Sequence, residues 1–237
     1  IDTFIDPQTI RRVTGVVRDL YAEKGYQFAE VTPEIKEVAG GPKLVHLTFN
    51  VNEGPKVKIR DVDFVGNTAF SDDKLTGKMK ENKPQSFLSF ITGKGTYVES
   101  KFAEDAEAVR AYYLEQGYIQ AQVGQPQIEV IEDTPDGETR WIRLRVPLDE
   151  GPRYRIGELS FEGNTLVKDE AFAELFKLKP GDWYSHKKFM KGREKIQEIY
   201  GAGGYMEFNV FPQFGALEEQ ATASTADGPP APAGGAA

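Results

Sequence analysis

Cysteine is absent from the 237 residues, and histidine occurs only at His46 and His186. The first absence removes disulfides, zinc–thiolate sites and thiol chemistry together. It suits an oxidising compartment that avoids stray thiols, and it suits a cytosol equally. The two histidines stand far apart, and neither has metal-ligand spacing around it. No run approaches the ~20 apolar residues that a membrane-spanning helix requires. A basic excess is lacking as well: 29 Lys and Arg face 37 Asp and Glu, a net charge of −8, with Glu218, Glu219 and Asp227 contributing three of the negative charges. An acidic chain with dispersed cations is not built for a phosphate backbone, so no nucleic-acid partner is expected. What is present, 39% apolar residues, suffices for folded cores, and the length predicts two or three small domains.

Catalytic motifs are lacking too. GKGTY at Gly93–Tyr97 is not the G-x-x-x-x-G-K-[ST] phosphate loop, and GAGGYM at Gly201–Met206 fails G-x-G-x-x-G at its last position. Ser185, His186 and Asp182 lie together in sequence, but neighbours at a helix start point in different directions. No catalytic, cofactor-binding or metal-binding residues are assigned, and no cofactor is expected.

The strongest signal is internal repetition. YAEKGY at Tyr21–Tyr26, YLEQGY at Tyr113–Tyr118 and YGAGGY at Tyr200–Tyr205 share a Tyr-x-x-x-Gly-Tyr phrase, spaced 92 and 87 residues apart. NEGP at Asn52–Pro55 returns as DEGP at Asp149–Pro152, and DVDFVGNT at Asp61–Thr68 as ELSFEGNT at Glu158–Thr165, both 97 residues later. Before the Gly-Tyr phrase, Phe102, Ala106, Val109 and Tyr113 mark one face of a helix, as do Ile10, Thr14, Val17 and Tyr21, and Phe189, Arg193, Ile196 and Tyr200. Gly25, Gly117 and Gly204 then fit the left-handed position that ends a helix.

Period-two alternation follows each cap: Ala29 and Val31, Ala121 and Val123, Phe208 and Val210. Pro33, Pro126 and Pro212 place these strands at sheet edges, because proline cannot donate to a central ladder. A second strand comes next, Val45–Val51 in one copy and Ile142–Leu148 in another. PDGET at Pro135–Thr139 supplies the turn before the latter. After EGP, Val62 and Phe64, or Leu159 and Phe161, open a new unit ahead of a GNT turn. A short helix follows, with Ser71 as N-cap in one copy and DEAFAELF at Asp169–Phe176 in the other. Each unit thus reads strand-helix-helix-strand-strand, an α+β fold with two helices on one face of a three-stranded sheet.

Four segments follow: 1–54 is a partial repeat carrying the second helix and last two strands, 55–151 a complete repeat, and 152–214 a repeat lacking its last strand. Residues 215–237 form a low-complexity segment, a disordered tail or an insertion. The chain opens inside a repeat and without a leader, as expected of a mature chain or a fragment.

Tandem units with F-x-G-N-T at the opening, Y-x-x-x-G-Y closing a helix and E-G-P joining neighbours resemble polypeptide-transport-associated (POTRA) repeats. The similarity is greatest to those of BamA-like outer-membrane protein assembly factors, and SFLSFITGKGTY at Ser86–Tyr97 looks like the link between helices in some members. The resemblance covers residues 1 to about 214. It implies tandem repeats with a three-stranded mixed sheet, placed in the periplasm as the soluble part of an outer-membrane protein of a Gram-negative bacterium, with a C-terminal membrane barrel in the full-length protein. It also implies binding of unfolded outer-membrane β-barrel proteins and of accessory assembly lipoproteins, without catalysis. Alternatives are the periplasmic arm of a translocation or two-partner secretion transporter, or a structural cell-envelope adaptor without a barrel.

An edge strand with unpaired backbone groups accepts an extended chain regardless of its sequence. Clients are therefore expected on Phe28–Val38 (Phe28, Val31, Ile35), on Ile119–Val130 (Ile119, Val123, Ile128, Val130) and on Met206–Gln213 (Phe208, Val210), with the middle strand favoured. Gly54, Pro55, Gly151 and Pro152 are candidate swivelling joints between repeats. Phe87, Leu88, Phe90 and Ile91 form a candidate docking loop, in a stretch ten residues longer than its counterpart; folding back onto the unit's own core is the alternative there.

Overall fold

The protein is described here by a computed structural model, covering residues 6–38, 45–85, 95–164 and 168–205. It divides into two compact units, Ile1–Tyr154 and Arg155–Ala237.

In the first unit, α1 (Pro7–Glu23) starts where the Asp6 carboxylate accepts the Gln8 and Thr9 N–H groups and Pro7 occupies the first turn. It leads into an antiparallel hairpin of β1 (Glu30–Glu37) and β2 (Val45–Asn52), in register from Glu30↔Asn52 to Glu37↔Val45. Then come β3 (Lys56–Val65), α2 (Asp72–Thr76, capped by Ser71), a 3-10 turn at Glu99–Lys101, α3 (Phe102–Glu115), β4 (Gln122–Val123), β5 (Gln127–Asp133) and β6 (Thr139–Asp149). β6 is central. It pairs parallel with β3 on one side, and antiparallel with β5 and the short β4 on the other. This is a mixed three-stranded sheet whose outer strand is broken in two.

The break corrects the expectation of one continuous strand over Ile119–Val130. Ile119 precedes β4 in a turn, and the pairing lapses at Gly124–Pro126. Pro126 brings no N–H to a ladder, while the Gly124 N–H turns instead to the Pro147 carbonyl at 2.8 Å. Pro147 itself sits opposite this lapse, so its own missing donor breaks no bond on that side. Phe28 likewise lies just ahead of β1.

One face of the sheet carries the core: Val57, Ile59, Val62 and Phe64 of β3 and Ile142, Leu144, Val146 and Leu148 of β6 pack under Leu75, Phe102, Val109 and Tyr113. The period-two strand pattern and the 3.6-period helix pattern meet there, as read from the sequence. A buried carboxylate, Asp105, closes the helical layer. It accepts the N–H groups of Lys80, Glu81 and Asn82 and the Asn82 side-chain amide.

In the second unit, α4 (Asp169–Phe176) packs against α5 (His186–Ala202) through Phe172, Phe176, Phe189 and Ile196. Gly192 allows the close approach, since a Cβ there would run into Phe176.

Candidate functional site

The recurring phrases each close a defined hydrogen-bond pattern. In Tyr-x-x-x-Gly-Tyr, the last Tyr N–H reaches the first Tyr carbonyl in all three copies: Tyr26 to Tyr21 at 2.9 Å, Tyr118 to Tyr113 at 3.0 Å, Tyr205 to Tyr200 at 2.9 Å. Gly25, Gly117 and Gly204 have φ of +94, +96 and +88°. The two rings lie edge to face, 6.1, 5.5 and 5.7 Å apart. This is a Schellman helix end with its accompanying apolar contact.

The phrases also meet one another. Tyr113 Oη donates to Glu150 Oε1 at 2.8 Å, the Thr68 and Ala69 N–H groups donate to the same oxygen at 2.9 Å, and the Thr68 hydroxyl donates to Oε2. Glu150 is only 9% exposed. One buried carboxylate from DEGP therefore ties the GNT turn to the end of α3. Burial pushes its pKa up, and the Thr68, Ala69 and Tyr113 hydrogen bonds more than reverse this, leaving it below the ordinary 4.5. Tyr21 and Glu53 form the corresponding pair in the first copy, where burial together with the Glu53 charge and hydrogen bond raises the phenol.

The EGP joints are held from several sides. Asn52 and Asp149 side chains accept the Gly54 and Gly151 N–H groups, and both glycines take positive φ, +65 and +59°. Lys56 and Arg153 then lie over the Tyr26 and Tyr118 rings at 5.8 and 5.9 Å. Finally, the Val57 and Tyr154 N–H groups donate to the Gly25 and Gly117 carbonyls at 2.8 and 2.9 Å. Gly25 and Gly117, which end α1 and α3, are thus also acceptors for the segments that follow the two joints. At the first joint, Gln27 Nε2 adds a bond to the Tyr97 carbonyl at 3.2 Å, and the Arg140 guanidinium lies 4.9 Å over the Phe28 ring.

The sheet edges differ in availability. The outer side of β3 is closed: Ile59 N–H donates to Gly95, Tyr97 N–H to Val57, Gln85 N–H to Ile59, and Phe64 N–H to the Asp72 carboxylate. Among the described residues no strand pairs with β1 on the side away from β2, and β1 contains Pro33 within an unbroken register. A proline fits such a ladder when its nitrogen faces away from the partner, so the free edge of β1 lacks a donor at its middle. β5 contains no proline, and among the described residues β6 is its sole strand partner.

Ile128 and Val130 sit opposite the core residues Leu144 and Ile142, yet they are 41% and 50% exposed because the helices do not extend over them. The acidic residues of β5 are neutralised from within. Glu129 faces Arg143 at 3.9 Å, Glu132 pairs with Arg60, and Asp133 receives a two-pronged bond from Arg140 at 2.7 and 2.8 Å. Such exposed pairs contribute little stability, but they leave the edge without net repulsion toward an incoming chain.

Of the residues expected to bind clients, Ile128 and Val130 lie on β5, Val123 on β4, and Val31 and Ile35 on β1. Phe208, Val210 and the docking loop Phe87, Leu88, Phe90 and Ile91 lie outside the described residues. Sequence reasoning missed Arg140, whose guanidinium spans Asp133 and Phe28, and Arg143, which gathers Asp61, Asp63 and Glu129. For Arg143 the available signal was its alternation with Ile142 and Leu144 along β6; Arg140 falls in the phase of the core residues and gave none.

A family model described as POTRA, "Surface antigen variable number repeat", matches residues 2–54, 57–151 and 154–223. The chain is 28% identical over 212 residues to outer membrane protein assembly factor BamA of Neisseria meningitidis, covering 88% of this chain and 26% of that protein. It is 29% identical over 202 residues to BamA of Nitratidesulfovibrio vulgaris, covering 84% and 24%. It thus spans about a quarter of the length of these curated relatives. Among solved structures, Haemophilus influenzae BamA POTRA3-5 aligns with a TM-score of 0.46 at 21% identity, over 88% of this chain and 76% of that one.

Proposed function

Because the chain belongs to the POTRA family, with matches at 2–54, 57–151 and 154–223, we propose that it is the periplasmic repeat region of a BamA-like outer-membrane β-barrel assembly factor, and that it takes up unfolded barrel proteins as strands added to β5. The role is one of binding and hand-off, not of catalysis. The full-length protein would carry a membrane barrel and accessory lipoproteins.

The observation that carries the reading is the inequality of the edges. β3 is closed by Gly95, Tyr97, Gln85 and Asp72, the free edge of β1 lacks a donor at Pro33, and β5 holds no proline, pairs with β6 from Gln127 to Asp133 with one irregularity between Val130 and Glu132, and carries exposed Ile128 and Val130. A backbone ladder is blind to sequence, which suits clients that share only the capacity to form strands. Each ladder bond contributes ~1 kcal/mol net, so a seven-residue edge gives weak, reversible capture rather than a permanent complex.

The absence of native cysteine makes this testable by crosslinking. Single variants Val130→Cys and Val65→Cys are mixed, under mild oxidation, with a barrel-strand peptide carrying one cysteine. Val65 is as exposed as Val130, at 51%, but lies on the closed strand β3. Disulfide should form several-fold faster at position 130. Equal rates, or a faster reaction at position 65, would remove β5 as the client edge.

A further inference from the structure

Helix α5 breaks two local rules that α3, its counterpart in the complete repeat, keeps. Lys187 and Lys188 stand in its first turn, which holds no acidic residue, although the positive end of a helix dipole disfavours cations there. Helix α3 carries Glu104 and Asp105 at that end. Like charges in α5 also stand four residues apart, Lys187 with Lys191 and Glu194 with Glu198, a spacing that sets them side by side. Lys191 and Glu194 have the i,i+3 spacing at which α3 joins Glu107 to Arg110. Yet among the described residues Lys191, Glu194 and Glu198 enter no ion pair.

Lys187, Lys191, Glu194 and Glu198 form one stripe. At ~100° per residue they fall within about 60° of one another, opposite the buried Phe189, Ile196 and Tyr200. All four are exposed, and so are Ser100, Glu104, Glu107 and Ala111 at the matching positions of the middle repeat, whose sheet has all its strands. The fold itself therefore leaves this face open. Its charges are not set by the fold, because neither the middle set nor Gln8, Arg12, Gly15 and Asp19 of α1 repeats the order of two cations followed by two anions.

The geometry points to an interface between two copies of this chain: α5 lies antiparallel against the α5 of the partner subunit, about a two-fold axis passing between Gly192 and Arg193. Lys187 then faces the partner's Glu198 and Lys191 the partner's Glu194, and the symmetry makes each contact twice. Steps of four, three and four residues keep the stripe toward such a neighbour over three turns, ~16 Å. Both broken rules are answered at once. Each lysine gains a carboxylate, and each charge at the wrong end of its own helix dipole lies at the right end of the partner's. A uniformly anionic surface such as a lipid bilayer would meet Glu194 and Glu198 as well as the lysines, so it fits the stripe less well. Exposed charge pairs are individually weak, and the dimer is accordingly salt-sensitive and forms near ~1 mM chain. It uses no residue of β5.

The test is sedimentation of the full 237-residue chain from ~10 μM to ~1 mM, in ~20 mM and in ~0.3 M salt. A monomer–dimer equilibrium is expected at low salt, weakened about tenfold or more at high salt. Lys191→Glu and Glu194→Lys, each alone, put like charges at both central contacts and should each weaken dimerisation about tenfold or more. An equimolar mixture of the two variants should associate again. In the mixed pair the glutamate introduced at 191 faces the lysine introduced at 194, and the retained Glu194 and Lys191 meet at the other contact. Damage to the fold would not be cured by mixing. A chain that stays monomeric at low salt, association untouched by either single variant, or a mixture that stays monomeric would each overturn the proposal. Binding of the monomeric chain to phosphatidylglycerol vesicles, lost with Lys191→Glu, would assign the stripe to a lipid surface and overturn it as well.

Discussion

Replacing Glu150 with alanine should destabilise the first unit by roughly 2–4 kcal/mol, the cost of leaving several buried donors without an acceptor. Four donors converge on this carboxylate: the Tyr113 and Thr68 hydroxyls and the Thr68 and Ala69 N–H groups. Removing it frees the GNT turn from the exit of β6 and from the end of α3. Tyr113→Phe removes one donor and leaves the acceptor otherwise served, so it should cost only about 1 kcal/mol. Urea denaturation followed by circular dichroism measures both.

The same group imposes a pH dependence of definite sign. Its folded-state pKa lies below the ordinary 4.5, so its stabilisation is present above that value and is lost as pH falls through the folded pKa. Glu150→Gln retains an acceptor but cannot titrate. Its stability should fall less steeply than that of the wild type below about pH 4.5, the ordinary carboxyl value. Parallel profiles for the two proteins would show that the carboxylate is not the titrating tie.

Gly66→Ala should be equally damaging, at roughly 2–4 kcal/mol, combining left-handed strain with overpacking against backbone. The φ of +106° disfavours any side chain, and the colliding atom is the Leu148 carbonyl oxygen, which cannot rotate away as a side-chain tip could. Gly163→Ala makes the matching control. Its φ of +75° carries strain, but no atom of the described residues outside its chain neighbours lies within 4 Å of the added methyl, so it should cost only about 1 kcal/mol. The contrast separates two uses of glycine within one motif, namely turn conformation and close approach to a neighbouring strand. Equal losses at the two positions would mean that turn strain alone decides.

The order of elements was legible because it rests on local rules. Tyr-x-x-x-Gly-Tyr followed by alternation encodes a Schellman end and a strand within twenty residues of chain, and the α3 face at Phe102, Val109 and Tyr113 follows from helical periodicity. What escaped was contact between segments distant in sequence. The Thr68–Glu150 bond spans 82 residues, so GNT and EGP could be recognised as recurring without any sign that they touch. Asp105 stands three residues after Phe102, on the buried face, and that placement alone marks it as a group with a dedicated partner. The break between β4 and β5 was obscured for another reason. Gly124 and Pro126 interrupt an otherwise apolar alternation, and their effect depends on Pro147 of the neighbouring strand. The closed edge of β3 likewise required knowing that Gly95 and Tyr97 return beside it.

The account stands or falls on backbone addition at β5. The most direct measurement titrates the isotopically labelled chain with a barrel-strand peptide, and in parallel with the same peptide N-methylated at alternate amides along one side. Strand addition predicts amide shifts concentrated in Gln127–Asp133, lost with the peptide whose ladder-facing amides are methylated and kept when the opposite set is methylated. Equal binding by both methylated peptides and the parent, or no shifts in Gln127–Asp133 at millimolar peptide, would contradict it.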